Sequence, residues 1–211
     1  MIMINKNKYI KRISNYLKIL FPDPVCALNS DKPHELLIAA RLSAQCTDKR
    51  VNLVTPALFK HFPSITAFAE ADMEEVEEYI KSCGLYKTKA RDIVLMCRIL
   101  AYEYNGRIPD IIEELIKLPG VGRKTANLII GDVYGKPAVV TDTHVIRIAY
   151  RLGLTNSKNP LTVEKDLRAL LPPDESNDFC HRTVLFGREI CKAQNPKCDI
   201  CELTDICKYL K

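Results

Sequence analysis

Four cysteines near the end of the sequence have the spacing of a metal site. They follow the pattern C-x6-C-x2-C-x5-C and are Cys191, Cys198, Cys201 and Cys207. Four thiolates this close in sequence can surround one metal centre, and a four-sulfur ligand set suits either zinc or an iron–sulfur cluster. The total of 9 cysteines is odd, which argues against a disulfide framework. We interpret the other cysteines, which are scattered, as small buried apolar residues.

A glycine-containing turn between two expected helices has the features of a phosphate site. Residues 118–126 read Leu-Pro-Gly-Val-Gly-Arg-Lys-Thr-Ala. The glycines permit a tight turn that exposes successive backbone N–H groups, and the following helix adds the N–H groups and positive dipole of its N-terminus. Such a turn contacts a nucleic-acid backbone without reading its sequence. A plain helix-to-helix turn is the alternative, and the Arg123-Lys124 pair favours phosphate binding.

Lys124 and Asp142 are candidates for covalent chemistry. Lys124 lies in the first helical turn after the glycines, where the helix dipole disfavours its positive charge and burial would disfavour it further. A neutral lysine amine can form a Schiff base. Asp142 opens the next long helix, and its carboxylate could orient the amine, take its proton or stabilise a cationic transition state. The alternatives are a helix N-cap for Asp142 and a solvated phosphate contact for Lys124. We interpret His144 as a packed or capping histidine.

The composition is that of an ordinary soluble protein. Of the 211 residues, 47% are hydrophobic and 27% are charged, which excludes a disordered, collagen-like or coiled-coil chain. Unbroken apolar stretches are short and residues 1–20 show no secretory signal, so we expect no membrane helix and an intracellular location. The formal net charge of +5 is a modest bias toward a polyanionic partner.

Helical periodicity runs through almost the whole sequence. Residues 138–140, Ala-Val-Val, are the only segment that resembles a strand, and they are too few to build a sheet. We therefore predict an all-α chain without a long flexible linker that forms one compact body, with a division into two lobes as the alternative. The predicted helices are 9–20, 34–44, 49–62, 73–82, 87–104, 111–118, 123–134, 143–152, 163–171 and 178–191.

Three of these motifs, in this order, closely resemble a known family. Residues 118–126, the segment 139–144 (Val-Val-Thr-Asp-Thr-His) and the cysteine pattern resemble the endonuclease III family, the helix-hairpin-helix DNA glycosylases with an associated strand-cleaving lyase activity. Residues 42–45 (Leu-Ser-Ala-Gln) and 84–86 (Gly-Leu-Tyr) also look like family segments. The resemblance extends from about residue 11 to residue 207, which is almost the entire chain.

The resemblance implies a fold and a cofactor. It implies a helix-hairpin-helix DNA glycosylase fold with two helical lobes and a [4Fe–4S] cluster loop at the C-terminus, held by the four cysteines. One lobe is a six-helix barrel, residues 26–136, that contains the hairpin. The other is a discontinuous cluster domain, residues 1–25 plus 137–211. No linear pattern in the sequence indicates that division.

The resemblance also assigns roles to single residues. Lys124 falls on the Schiff-base nucleophile of the family and Asp142 on its catalytic aspartate. Gln45 and Leu85 fall where the family inserts side chains into the gap left by a flipped base, although core packing is an alternative for Leu85. The basic surface expected at the hairpin and the cluster loop would also include three residues near Leu85: Lys87, Lys89 and Arg91. The expected phosphate contacts, for which plain solvation is the alternative, are Gly120, Val121, Gly122, Arg123, Lys192 and Lys197.

The function that follows is a bifunctional DNA glycosylase/AP lyase of base excision repair. It would remove oxidised pyrimidines and cleave the strand 3′ to the abasic site by β-elimination. The expected partner is double-stranded DNA with damaged pyrimidines or abasic sites, bound by a monomer in the cytoplasm at the nucleoid. The alternatives are a monofunctional mismatch glycosylase, a class that lacks the lysine, and a non-catalytic DNA-binding module with structural zinc.

Two residues depart from the family pattern: Phe186 replaces a frequent histidine, and Cys46 replaces an alanine or threonine.

Overall fold

Helices account for all the regular structure in the computed structural model, which describes residues 6–210 and the side chains from residue 8 onwards. The parts of our predictions that concern residues 1–5 and 211 lie outside the described residues. The all-α prediction is confirmed for the rest. The helices are α1 (Lys6–Leu20), α2 (Pro33–Leu42), α3 (Asp48–His61), α4 (Ile65–Glu70), α5 (Met73–Ile80), α6 (Tyr86–Tyr102), α7 (Ile112–Leu115), α8 (Arg123–Asp132), α9 (Thr143–Arg151), α10 (Pro160–Leu170) and α11 (Ser176–Glu189). Short 3-10 helices cover Lys81–Cys83, Pro173–Glu175, Cys198–Ile200 and Lys208–Leu210.

Polar side chains determine where several helices begin. The side chains of Thr47, Ser64 and Asn159 accept hydrogen bonds from backbone N–H groups in the first turns of α3, α4 and α10. Such N-caps satisfy donors that have no partner inside the helix. Helix α4 was not predicted because its 6 residues are too few to show helical periodicity. The other helices begin and end within a few residues of their predicted bounds.

The chain divides into two compact units. The first, Cys26–Tyr134, contains α2 to α8, with α4 and α5 packed on α6. The second joins Met1–Val25 to Gly135–Lys211 and contains α1, α9, α10 and α11, with α11 packed on both α9 and α1. No helix within residues 6–210 has the length and apolar character that a bilayer-spanning segment needs. Buried side chains that form the two cores include Leu37, Ile38, Phe68, Ile93 and Met96 in the first unit and Ile13, Leu17, Val145, Val163 and Phe186 in the second.

Helix α1 holds the second unit together although it is far in sequence from the rest. The hydroxyl of Tyr9 shares its one proton between the backbone carbonyls of Leu152 and Ile206. Arg12 makes a bidentate ion pair with Asp205, with distances of 2.7 and 2.8 Å. This pair is exposed and stabilises the unit little. The buried residues of α1, which include Ile13 and Leu17, therefore supply most of the attachment through apolar burial.

Helices α9 and α11 approach each other closely at Gly187. A Cβ atom at this position would lie 2.8 Å from Nδ1 of His144 and 2.9 Å from Nη2 of Arg147. A larger residue would have to displace these side chains, because neither contact leaves room for a methyl group. Gly187 therefore permits the close packing of α11 on α9, the helix that begins next to Asp142.

The turn between α7 and α8 is built on a mostly buried ion pair. Arg41 of α2 donates from Nε (3.1 Å) and Nη2 (2.7 Å) to Oδ2 of Asp92 on α6. Gly120 has a positive φ of 74°. A Cβ atom there would lie only 2.4 Å from the Arg41 Nε atom. Conformation and space therefore both require glycine at residue 120.

We predict that Gly120→Ala and Gly122→Ala have different effects on stability. Gly120→Ala should lower the free energy of unfolding by about 1–3 kcal/mol, because it adds backbone strain and displaces the Arg41–Asp92 pair. Gly122 has a φ of −93°, and a Cβ atom added there would have no neighbouring atom within 4 Å, so Gly122→Ala should cost much less. Urea denaturation of the two variants provides the comparison. Equal losses would show that the ion pair does not constrain the turn.

Candidate active site and cysteine group

The N-terminus of α8 follows the glycine turn and is open to solvent. The Val121 N–H group donates to the Leu118 carbonyl at 3.1 Å, which closes the turn, and the Val121 and Leu118 side chains are buried beneath it. Gly122 is the N-cap residue and has no side chain to occupy the backbone N–H groups of the first turn. These groups and the dipole of α8 provide the electrostatics of an anion site.

Lys124 lies in the first turn of α8, as the sequence predicted, and its side chain is exposed. The expectation that burial would disfavour its charge is therefore wrong, because solvent reaches the amine. The dipole of α8 still disfavours a positive charge at this end of the helix. Arg123 is exposed beside it. The turn thus presents two basic side chains and uncapped backbone donors on one surface.

Asp142 is the N-cap of α9, so the capping alternative describes its geometry correctly. Its Oδ1 atom accepts a hydrogen bond from the Val145 N–H group at 2.7 Å. No hydrogen bond to Oδ2 is found within residues 6–210. A cap and a catalytic role are compatible, because capping uses one carboxylate oxygen and holds the other in a defined direction. Half-buried His144 is the second residue of α9, and burial lowers the pKa of its imidazole.

Helix α9 also holds the loop of the first cysteine. Nη2 of Arg147 donates to the carbonyls of Gly187 and Cys191, both at 3.0 Å. Arg151 donates to the carbonyls of Lys192 (2.7 Å) and Ala193 (3.0 Å). Its Nη1 atom also lies 3.3 Å from the sulfur of Cys191. The helix that positions the Asp142 carboxylate at one end therefore fixes the cysteine loop along its length.

The structure brings the four predicted cysteine ligands around one cavity, and we call them the cysteine group: Cys191, Cys198, Cys201 and Cys207. None of them forms a disulfide. Burial raises the pKa of the Cys201 thiol, and the nearby thiols of the other three cysteines add to that rise. Within residues 6–210, no three Cys, His, Asp or Glu side chains converge on a single-ion site. Four thiols that line one cavity fit the all-thiolate ligand set of an iron–sulfur cluster.

The first and second cysteines of the group are linked by a closed loop. The backbone N–H groups of Lys192 and Lys197 both donate to the carbonyl of Ile190, at 2.9 Å each. This shared acceptor draws the two ends of the loop together, and both lysine side chains remain exposed. Phe186, one of the departures from the family pattern, is fully buried and lines the cysteine cavity, where its ring packs edge-on against Tyr16.

Gln45 and Leu85 share an unusual backbone conformation. Their φ angles are 53° and 49°, in the left-handed region that residues with side chains seldom adopt. Both side chains are exposed, and Leu85 is exposed to 58%. This exposure excludes the core-packing alternative for Leu85. Cys46 lies beside the buried Cys83, whose thiol has its pKa raised to about 11 by burial and by Cys46.

Several buried cations were missed or misplaced by the sequence analysis. Lys87 and Arg91 are exposed as expected, but Lys89 has no exposed surface and cannot add to a basic surface. One signal could have revealed this, since Lys89 continues the apolar stripe formed by Ile93, Met96 and Leu100 on α6. The charged side chains of Arg41, Arg147 and Arg151 carried no comparable signal, because their partners are distant in sequence.

Two family models match this chain. The model of the HhH-GPD superfamily of base excision DNA repair proteins matches residues 38–173. The model of the iron-sulfur binding domain of endonuclease III matches residues 191–207, which is the span of the cysteine group. The first match covers the glycine turn, Lys124 and Asp142 together.

Endonuclease III proteins of several bacteria are similar to the chain over nearly its whole length. The endonuclease III of Synechocystis sp. is 43% identical, with 97% of this chain and 94% of the relative covered. That of Escherichia coli K12 is 39% identical, with 98% and 97% covered. That of Bacillus subtilis is 42% identical, with 90% and 87% covered.

Solved structures agree with this relationship. A trapped endonuclease III–DNA covalent intermediate superposes with a TM-score of 0.92 at 43% identity, covering 98% of this chain and 97% of that one. A thermostable thymine-DNA glycosylase, at 22% identity and a TM-score of 0.86, shares the fold. The chain therefore belongs to the endonuclease III family of helix-hairpin-helix base excision repair proteins, and it is a DNA glycosylase and AP lyase with a [4Fe–4S] cluster.

Proposed function

We propose that the protein removes oxidised pyrimidines from duplex DNA and cleaves the strand at the resulting abasic site, with Lys124 as the nucleophile. The observation that carries this proposal is the position of Lys124, exposed in the first turn of α8 next to uncapped backbone donors. A phosphate bound by those donors would hold a nucleotide close to the amine. A covalent endonuclease III–DNA intermediate among the structural relatives supports amine chemistry at this position.

The proposed reaction has two stages. The neutral Lys124 amine attacks C1′ of the sugar, the base leaves with the electrons of the glycosidic bond, and the amine proton is transferred away. The sugar ring then opens to give a Schiff base between Nζ and C1′. The Schiff base acidifies the 2′ proton, and loss of that proton expels the 3′ phosphate. Water finally hydrolyses the Schiff base and releases Lys124.

Asp142 has an electrostatic and proton-transfer role in this proposal. Its N-cap bond fixes the carboxylate at the positive end of α9, where the helix dipole favours an anion. An ionised carboxylate stabilises the cationic sugar that forms as the base leaves, and it can carry protons between the amine and the leaving base.

DNA binding would involve two rigid surfaces and two inserted side chains. The glycine turn (Gly120, Val121, Gly122 and Arg123) would contact phosphates through its backbone donors and through Arg123, and Lys192 and Lys197 would do so from the closed loop. Extrusion of a base from the stack costs a few kcal/mol, and Gln45 and Leu85 would offset it by filling the gap.

We further propose that the first unit is the helix-hairpin-helix domain, that the second is the cluster domain, and that the protein acts as a monomer on DNA of the nucleoid.

The cysteine group is proposed as the ligand set of the [4Fe–4S] cluster. When bound, the cluster would cross-link the chain between residues 191 and 207. Base removal and β-elimination require no electron transfer, so no step of the proposed reaction passes through it. The Arg147 and Arg151 bonds to the loop would place Lys192 and Lys197 once the cross-link forms.

Borohydride trapping tests the nucleophile. Wild-type protein incubated with a duplex that contains one abasic site, and then reduced, should give a covalent complex, whereas Lys124→Ala should give none because it lacks the amine. Lys192→Ala is the matched control: it should bind less tightly and with a salt slope smaller by about 1, yet still be trapped. Absence of a complex from cluster-loaded wild-type protein would favour a monofunctional glycosylase.

Asp142→Asn separates the charge of the residue from its capping function. Asparagine is an equally good N-cap, so this variant should keep its stability and its affinity for DNA but lose activity by about 100- to 10,000-fold. Asp142→Ala should additionally lose about 0.5–2 kcal/mol of stability. Activity measured in single turnovers, alongside DNA binding and thermal unfolding, distinguishes these effects. Weaker DNA binding by Asp142→Asn would indicate that the residue serves the fold.

Cysteine variants test the ligand assignment. Cys201→Ala should purify with less iron and a weaker visible absorption band, because it removes one ligand. Cys180→Ala is the matched control, since Cys180 belongs to the same unit, is buried, and does not line the cavity. Iron content and visible spectra are the readouts. Full iron content in Cys201→Ala would contradict the assignment.

A further inference from the structure

Lys89 of α6 is buried completely, which is rare for a lysine. Its ammonium donates to two backbone carbonyls, that of Leu42 at 2.8 Å and that of Cys83 at 2.5 Å. Burial lowers the pKa of the Lys89 amine, whereas the nearby thiols of Cys46 and Cys83 act to raise it. A buried cation is costly unless hydrogen bonds replace its hydration. The two carbonyls provide that replacement.

The two carbonyls belong to the turns that carry Gln45 and Leu85. Leu42 is the last residue of α2, and Gln45 follows it by three positions. Cys83 ends a short 3-10 helix, and Leu85 follows it by two positions. The C-terminal end of α2 carries the negative end of its helix dipole, which attracts the ammonium. One side chain from α6 therefore ties together two turns that are distant in sequence.

Lys89 also fixes the second turn through its backbone. Its N–H group donates to the Leu85 carbonyl at 3.0 Å, while its side chain binds the Cys83 carbonyl. The tripeptide 83–85 is thus held at both ends by one residue. Gly84 and Leu85 have positive φ angles of 61° and 49°. Such conformations persist only where the surrounding structure holds them.

We propose that Lys89 is a positioning residue that sets the spacing and direction of the Gln45 and Leu85 side chains. By binding both turns, it presents the two side chains as a preorganised pair that enters the DNA duplex without a further ordering step. This inference rests on the proposed insertion of Gln45 and Leu85 into DNA. Lys89 itself touches no DNA.

The test uses Lys89→Met, which keeps an unbranched side chain suited to burial and removes both carbonyl bonds. On a duplex that contains one oxidised pyrimidine, the single-turnover rate should fall on the order of 10- to 100-fold, because the inserted side chains are misplaced. Trapping on a single-stranded oligonucleotide with one abasic site should be unchanged, because no stacked base must be extruded.

Arg98→Met is the matched control, since it removes a bond from the same helix to the Ala69 carbonyl (2.8 Å) and should preserve both activities.

Three results would overturn the inference. One is an unchanged duplex rate in Lys89→Met. Another is an equal loss on duplex and single-stranded DNA, which indicates general damage to the fold. The third is a loss of duplex rate by Lys89→Met that is as large in a Gln45→Ala/Leu85→Ala background as in the wild type. If Lys89 acts through Gln45 and Leu85, Lys89→Met should slow that double variant little further. If Lys89→Met does not fold, Lys89→Gln, which keeps N–H donors without the charge, undergoes the same three comparisons.

The same experiment separates this inference from the proposed function. If Gln45→Ala/Leu85→Ala leaves the duplex rate unchanged, the proposed insertion of these side chains is wrong, and the inference falls with it. If that double variant is slow and Lys89→Met is not, insertion stands and Lys89 has no positioning role.

Discussion

Irregular backbone needs hydrogen-bond partners, and in this protein buried cations supply them at three of the candidate functional loops. Lys89 holds the turns before Gln45 and Leu85, and Arg151 holds the loop after Cys191. The glycine turn rests on the Arg41–Asp92 pair, where the cation meets a carboxylate instead. A buried backbone carbonyl that is left without a partner costs more free energy than one hydrogen bond contributes. A loop that must keep its conformation therefore also needs its cation. The stability of these loops therefore depends on charges that come from neighbouring helices.

Helix N-termini provide a second common theme. Gly122 and Asp142 occupy equivalent positions at the starts of α8 and α9, but the sequence gives them opposite tasks. Glycine leaves the donors of α8 exposed to a ligand, whereas the Asp142 carboxylate occupies a donor of α9 and brings a negative charge of its own. The same backbone geometry thus leaves free donors suited to an anion in one place and holds a carboxylate in the other.

The parts of the structure that depend on local sequence were predictable. Apolar periodicity located most helices, and spacing alone identified the cysteine group, because both signals lie within short stretches of chain. Contacts between distant segments were not predictable, and the bonds of Tyr9 to Leu152 and Ile206 are an example. Lys89 was misplaced for a related reason: a lysine is usually solvated, and only the carbonyls of two other segments make its burial possible. The left-handed backbone at Gln45 and Leu85 likewise carries no residue-type signal, since neither residue favours that conformation.

The discontinuous second unit has a consequence for synthesis on the ribosome. Residues 26–134 form a contiguous unit that has all its partners once they have emerged, so this unit can fold while the rest of the chain is being made. Helix α1 emerges before this unit but contacts Leu152, Asp205 and Ile206. It must therefore wait, with its apolar face uncovered, until these residues have been translated. The cysteine group is likewise complete only once Cys207 has been translated. The order in which the two units can fold thus follows from the topology, because the first unit is contiguous and the second needs segments from both sides of it.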